Sequence, residues 1–120
     1  AIVRNFTIEQ GVTWIYEFEL HAETETGPLI DLTGWAADME VRETIESDQV
    51  LVALSTDNGR ITITPATGNV RLMLTAAETA ALNFETAVYD LELASASGFV
   101  LRIFKGEITL DKETTRKTRP

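Results

Sequence analysis

The feature that most constrains this chain is alternation. In VTWIYEFELH, residues 12–21, Trp14, Tyr16, Phe18 and Leu20 fall on one side. Thr13, Glu17, Glu19 and His21 fall on the other, with Ile15 the exception. Successive side chains of an extended backbone point to opposite faces, so a period of two predicts a strand with one buried side. The pattern recurs. Ala37, Met39 and Val41 alternate with Asp38, Glu40 and Arg42, whose charges change sign along a soluble face. Ile61 pairs with Ile63, Val70 with Leu72 and Leu74, and Tyr89 with Leu91 and Leu93. VLVALS, residues 50–55, reads as a short apolar strand. FVLRIFKGEITLD, residues 99–111, reads as a closing strand in which Gly106 marks a bulge or bend.

Turn chemistry separates these runs. AETETGP is punctuated by Gly27 and Pro28. In LIDLTGW, Asp31 and Thr33 can bond nearby backbone and Gly34 permits a sharp reversal. TIESDQ, PATGN and SASG are further turns. Asn58 and Gly59 give the clearest one, because both residue types tolerate positive φ. About seven to nine strands result, spaced at the roughly 8–12 residues typical of a sandwich or barrel. One helix interrupts them at TAAETAAL, residues 75–82. Thr75 followed by Glu78 forms a capping box, and the alanines favour helix. Two turns cannot persist alone, so Leu82 and Phe84 are expected to anchor it.

The 120 residues, 44% of them apolar, suit one domain with one core. The division expected is a β-sandwich over residues 1–111 and a basic tail over residues 112–120. The net charge is −9. In the tail, Lys112, Arg116, Lys117 and Arg119 oppose only Glu113, which leaves +3 there and −12 on the body. An acidic body lacks the basic stripe that nucleic acid requires. No apolar run approaches the ~20 residues of a membrane span. The N-terminal AIVRNFTIEQ is too polar for a signal peptide, and the simplest expectation for Ala1 is a removed initiator Met, with an excised segment as the alternative.

Chemistry has little to work with. There is no cysteine, which excludes disulfides, thiolate nucleophiles and Cys-based zinc sites. His21 is the single histidine, and one histidine does not make a catalytic group. Glu17 with Glu19, Asp38 with Glu40, and Asp90 with Glu92 are i,i+2 carboxylate pairs. Glycosidase acids could share a strand face in that way, but so do the residues of any wet face. ETETG and ESD hold oxygen ligands without the spacing of a calcium loop. The seven glycines are scattered through turns and form no phosphate loop. Trp14 and Trp35 are expected in the core rather than on a sugar-binding platform. No catalytic residue, cofactor or metal site is therefore expected.

The segment ETAVYDL, residues 85–91, resembles the immunoglobulin-fold pattern acid-x-Ala/Gly-x-Tyr-x-Cys. Glu85, Ala87 and Tyr89 match it, and Leu91 stands in the Cys position. The resemblance implies an immunoglobulin-like antiparallel β-sandwich without its inter-sheet disulfide. It also implies a structural corner at Glu85 and Tyr89, in which the tyrosine closes a loop onto nearby backbone.

A broader likeness covers most of the chain. GVTWIYEFEL, GPLIDLTGWAADMEVRE, NGRITI, GNVRLMLTAAETAAL and YDLELASASGFVLRIFKGEITLDKETTR are similar, in order and content, to small bacteriophage tail-associated domains. Such domains begin baseplate and tail-fibre proteins or stand alone. The resemblance implies a non-enzymatic virion protein of the tail or baseplate, made in the host cytoplasm. It would be an adaptor or fibre-attachment component, homo-oligomeric in place, with other tail proteins as partners and neither nucleic acid nor membrane. The tail residues Lys112, Arg116, Lys117 and Arg119 are candidates for partner docking. A carbohydrate-binding or adhesive module, or a capsid decoration protein, is the alternative.

Overall fold

The computed structural model describes residues 1–20 and 31–115. Among them, nine strands form two sheets. In chain order they are β1 (Ile2–Val3), β2 (Phe6–Glu9), β3 (Trp14–Glu19), β4 (Ala36–Arg42), β5 (Val50–Ser55), β6 (Ile61–Thr64), β7 (Asn69–Leu74), β8 (Thr86–Ala94) and β9 (Val100–Asp111). One sheet runs β1-β9-β8-β4-β5, with β2 continuing β1 along β9. The other runs β3-β7-β6. This is an all-β sandwich, and its strand order is immunoglobulin-like, with the sequence-adjacent pairs β4-β5 and β8-β9 in one sheet and β3, β7 and β6 in the other.

Alternation explains which residues meet between the sheets. Ala37, Met39 and Val41 of β4, Tyr89, Leu91 and Leu93 of β8, and Val70, Leu72 and Leu74 of β7 are all buried. Leu91 and Leu72 are fully enclosed in this apolar core. Trp14, Tyr16 and Phe18 are only half-buried against this core, because β3 is an edge strand and one flank of each ring meets the rim. Trp35 is likewise half-buried and packed on the core.

The local signals hold in detail. Asp31 accepts from both the backbone N–H and the hydroxyl of Thr33, at 2.9 and 2.6 Å, which holds its carboxyl below the usual range. Asn58 accepts from Ser55 N and Arg60 N, each at 3.0 Å, and Gly59 takes φ +79°. The helix, α1 (Ala76–Ala80), carries the full capping box: Thr75 Oγ1 accepts from Glu78 N and Glu78 Oε1 accepts from Thr75 N. Leu82 is buried, and Phe84 packs on the core. Thr79, also buried, ties the helix to the β2–β3 turn by donating its hydroxyl to Val12 O at 2.9 Å.

Two features differ from the sequence reading. First, the sandwich is not wholly antiparallel. The N-terminal residues, which show little alternation, form β1 and β2, and both pair parallel with β9 in one unbroken register from Ile2 opposite Phe104 to Glu9 opposite Asp111. Phe6 and Ile8 supply the inward positions there. Second, the bulge in β9 falls at Ile103, between the pairs Leu91↔Phe104 and Glu92↔Arg102, and not at Gly106. Gly106 has a different task. A side chain there would collide with the Arg4 carbonyl and come within 2.7 Å of Asn5 Oδ1. Its absence lets the link between β1 and β2 settle onto β9.

Candidate docking surface

Alternation buries every second residue, so consecutive apolar residues at a strand end leave some in water. FVL at the start of β9 does so. Phe99 is 59% exposed, Val100 54% and Leu101 39%. The turn before them is tightly fixed. Ser95 N donates to Phe99 O at 2.8 Å, Phe99 N donates to Ser95 Oγ at 3.0 Å, and Gly98 takes φ +91°. Phe99 therefore stands on a rigid hairpin tip. Its ring meets Trp35 at 6.4 Å and 81°, edge to face. Behind it, Val100 pairs with Ala94, and Ala94 with Ala36, which gives the outer face of the larger sheet an apolar upper row.

Below that row the face is charged. Asp38 lies opposite Glu92, and Glu40 opposite Asp90. Like charges so placed repel, and three cations offset them. Arg102 lies 3.4 Å from Asp90 and 4.0 Å from Glu92. Arg42 pairs with Glu40 at 2.7 Å, and Lys105 lies opposite Asp90 in the ladder. Apart from Asp38, these groups line an open groove of about 590 Å³, together with Val3, Ile45 and Val88. Among the described residues, no group of three His, Asp or Glu side chains could hold a metal ion. Glu40, Asp90 and Glu92 are thus engaged with arginines along a solvent-facing ladder.

The predicted corner residues are not brought together. Tyr89 is buried, and its hydroxyl donates at 2.6 Å to Arg4 O, 85 positions away in sequence, not to backbone of its own loop. Tyr89 lies directly opposite Gly106 in the ladder, and the space left by the glycine admits the Arg4 carbonyl to that bond. Burial pushes the Tyr89 phenol well above its usual range. Glu85 is exposed and contributes its carbonyl, which accepts from Leu110 N at 3.0 Å. Of the tail residues, Lys112 is exposed, while Arg116, Lys117 and Arg119 lie outside the described residues, as does His21.

Sequence reasoning missed Arg4. Its guanidinium stacks 4.8 Å from the Phe104 ring centroid and bonds the Tyr16 hydroxyl. It closes an aromatic seam in which Phe6 meets Trp14 at 5.4 Å and Tyr16 at 4.8 Å, and Phe18 meets Phe104 at 4.8 Å. Nothing in the local sequence marks Arg4, because its partners come from β3 and β9. Phe99 had a local signal, the run of three apolar residues after a turn.

No family model matches the chain, and no curated protein matches it. Among solved structures, CopC from Methylosinus trichosporium OB3b aligns over 92% of this chain and 89% of that one, with 12% identity and a TM-score of 0.47. A likeness of that degree carries no argument about function.

Proposed function

We propose that this chain is a structural component of a bacteriophage tail or baseplate, an adaptor or fibre-attachment protein that works by docking and catalyses nothing. The observation that carries the reading is the rigid tip bearing Phe99, Val100 and Leu101 beside the apolar row of Ala36 and Ala94. Contiguous apolar side chains held in water on a fixed hairpin mark an interaction site. The charged rows below supply a polar margin that sets orientation. The likeness of the strand-by-strand motifs to phage tail domains gives the setting, and symmetric rings are the usual form of such assemblies.

A sugar-binding role would need an aromatic face open for stacking. Trp35 is half-buried and meets Phe99 edge-on, so the two offer no shared platform. Quantitative mass spectrometry of washed phage particles tests the proposal. A copy number that is a small multiple of three or six supports a tail or baseplate ring. Hundreds of copies would move the chain to capsid decoration, and absence from the particles would refute the reading.

A further inference from the structure

The outer face of the larger sheet is apolar at both ends. Its upper row carries Val100, Ala94 and Ala36 beside the exposed Phe99. Toward the other end, Val3 is 65% exposed and Ile45 81% exposed. Both line the open groove, together with Val88, which lies in β8 opposite Arg42 and Glu107. Val3 stands on β1 and Ile45 on the β4–β5 loop, with β9 and β8 between them. The groove is thus walled by aliphatic side chains held in water, and such a concavity marks a place that a partner covers.

Most charges in the groove answer one another. Glu40 pairs with Arg42, Asp90 and Glu92 flank Arg102, and Lys105 lies opposite Asp90. A cationic ligand would compete with the arginines for these carboxylates. An anionic one would meet the same carboxylates and Glu107. An uncharged, apolar occupant leaves the pairs in place and strands no charge. The chain itself carries such an occupant. Residues 94–101, ASASGFVL, hold no charge and form the hairpin end on which Phe99 stands. The widths agree. From β1 to β4 is three strand spacings, about 14 Å, and the two strands of the tip are one spacing, about 5 Å, apart. The tip does not reach the groove floor of its own molecule. Ala94 and Val88 lie on one strand, six residues or about 20 Å apart.

We propose that the Phe99 tip of one copy seats in the groove of a second copy, between Val3 and Ile45, as a head-to-tail contact. This rests on the docking reading above and names the partner of that tip as another molecule of the same chain. Knob and groove lie at different places on the molecule, so the contact is heterologous. It repeats from copy to copy and closes into a ring where the rotation permits. An aromatic anchor in a pocket, ringed by polar groups that exclude water, is the arrangement that carries most interface energy. Tip-to-tip pairing would cover Phe99 but leave Val3 and Ile45 in water.

Crosslinking of purified chains tests the contact. The sequence has no cysteine, so each introduced thiol is the sole one. Ser97→Cys marks the tip and Thr44→Cys the groove wall, and both positions are exposed. With a short bismaleimide, a mixture of the two variants is expected to give a crosslinked pair of unlike chains, and neither variant alone is expected to give a pair. Adding Ile45→Asp to the Thr44→Cys chain should lower the yield roughly ten-fold, the equilibrium effect of losing one well-buried aliphatic contact. Ile45 is exposed in the single chain, so that variant keeps its fold, which an unchanged Tm verifies. Absence of the unlike pair overturns the proposal. So does an equal yield from Ser97→Cys alone, or a yield that Ile45→Asp leaves unchanged. In assembled particles, crosslinks from position 97 only to a different protein also overturn it, while the docking reading stands. Head-to-tail pairs of the purified chain, with the chain absent from particles, would support the contact and refute the phage setting.

Discussion

Replacing Tyr89 with Phe removes one hydroxyl and keeps the ring. The ring packs 5.4 Å from Phe6 in the seam, so the variant retains its apolar burial. What it loses is the 2.6 Å bond to Arg4 O, the tie between β8 and the link joining β1 to β2. A net hydrogen bond is worth about 0.5–1.5 kcal/mol, and stranding a buried acceptor costs about 1–3 kcal/mol. Arg4 is itself exposed, so water can partly replace the donor, and about 1–2 kcal/mol is expected. For a domain of this size that is a fall in Tm of about 4–8 °C.

Urea denaturation at pH 7 and again above pH 10 checks both the size and the cause. The folded phenol titrates above its unfolded value, because burial opposes its ionisation. A raised pKa gives stability that is complete below the unfolded value, near 10, and declines as pH rises beyond it. The gap between wild type and Tyr89→Phe should therefore narrow above pH 10. A difference below about 0.3 kcal/mol at pH 7, or a gap constant with pH, would refute this account of the tie.

Other substitutions address other parts of the fold. Gly106→Ala would press a methyl group into the Arg4 carbonyl and Asn5 Oδ1, and should cost about 1–3 kcal/mol, with faster amide exchange in β1 and β2 as its signature. Leu72→Ala, at a fully buried position between Tyr16 and Ile61 in the smaller sheet, should cost about 2–5 kcal/mol in chemical denaturation. Thr75→Ala should cost about 1 kcal/mol by loss of the helix cap. The backbone N–H of Thr75, with the Arg60 guanidinium, holds the Glu78 carboxyl below its usual value. That contribution is complete above the unfolded pKa and fades as pH falls through the acid range, so Glu78→Gln should flatten the acid limb of the stability curve.

Much of the fold was legible because period-two patterning is local. β3 to β9 and the capped helix follow from side chains two or three positions apart, and the turn at Asn58 follows from its own backbone preferences. The parallel N-terminal strands were not legible. Ile2, Val3, Phe6 and Ile8 lack sustained alternation, and their partners lie about a hundred residues away in β9. The same distance hid the true acceptor of Tyr89. A motif could suggest that its hydroxyl closes a loop, but the carbonyl it reaches depends on Gly106 admitting Arg4. The exposed apolar tip was half legible. The run of Phe99, Val100 and Leu101 was plain, yet exposure emerged only once the bulge at Ile103 and the hairpin end were placed. The carboxylate pairs were read as wet strand faces, and they lie on two of them: Glu40, Asp90 and Glu92 meet Arg42 or Arg102 on the larger sheet, and Glu17 meets Arg71 on the smaller.

The central claim is that this chain docks into a phage tail through its Phe99 tip. A photo-crosslinking amino acid placed at position 99, with an exposed control at Asp57 in the β5–β6 turn at the same end of the larger sheet, tests it in assembled particles. The account predicts crosslinks from position 99 to another tail protein or to a neighbouring copy, and none from position 57. Particles that incorporate the chain yet crosslink only from position 57, or not at all from position 99, would contradict it.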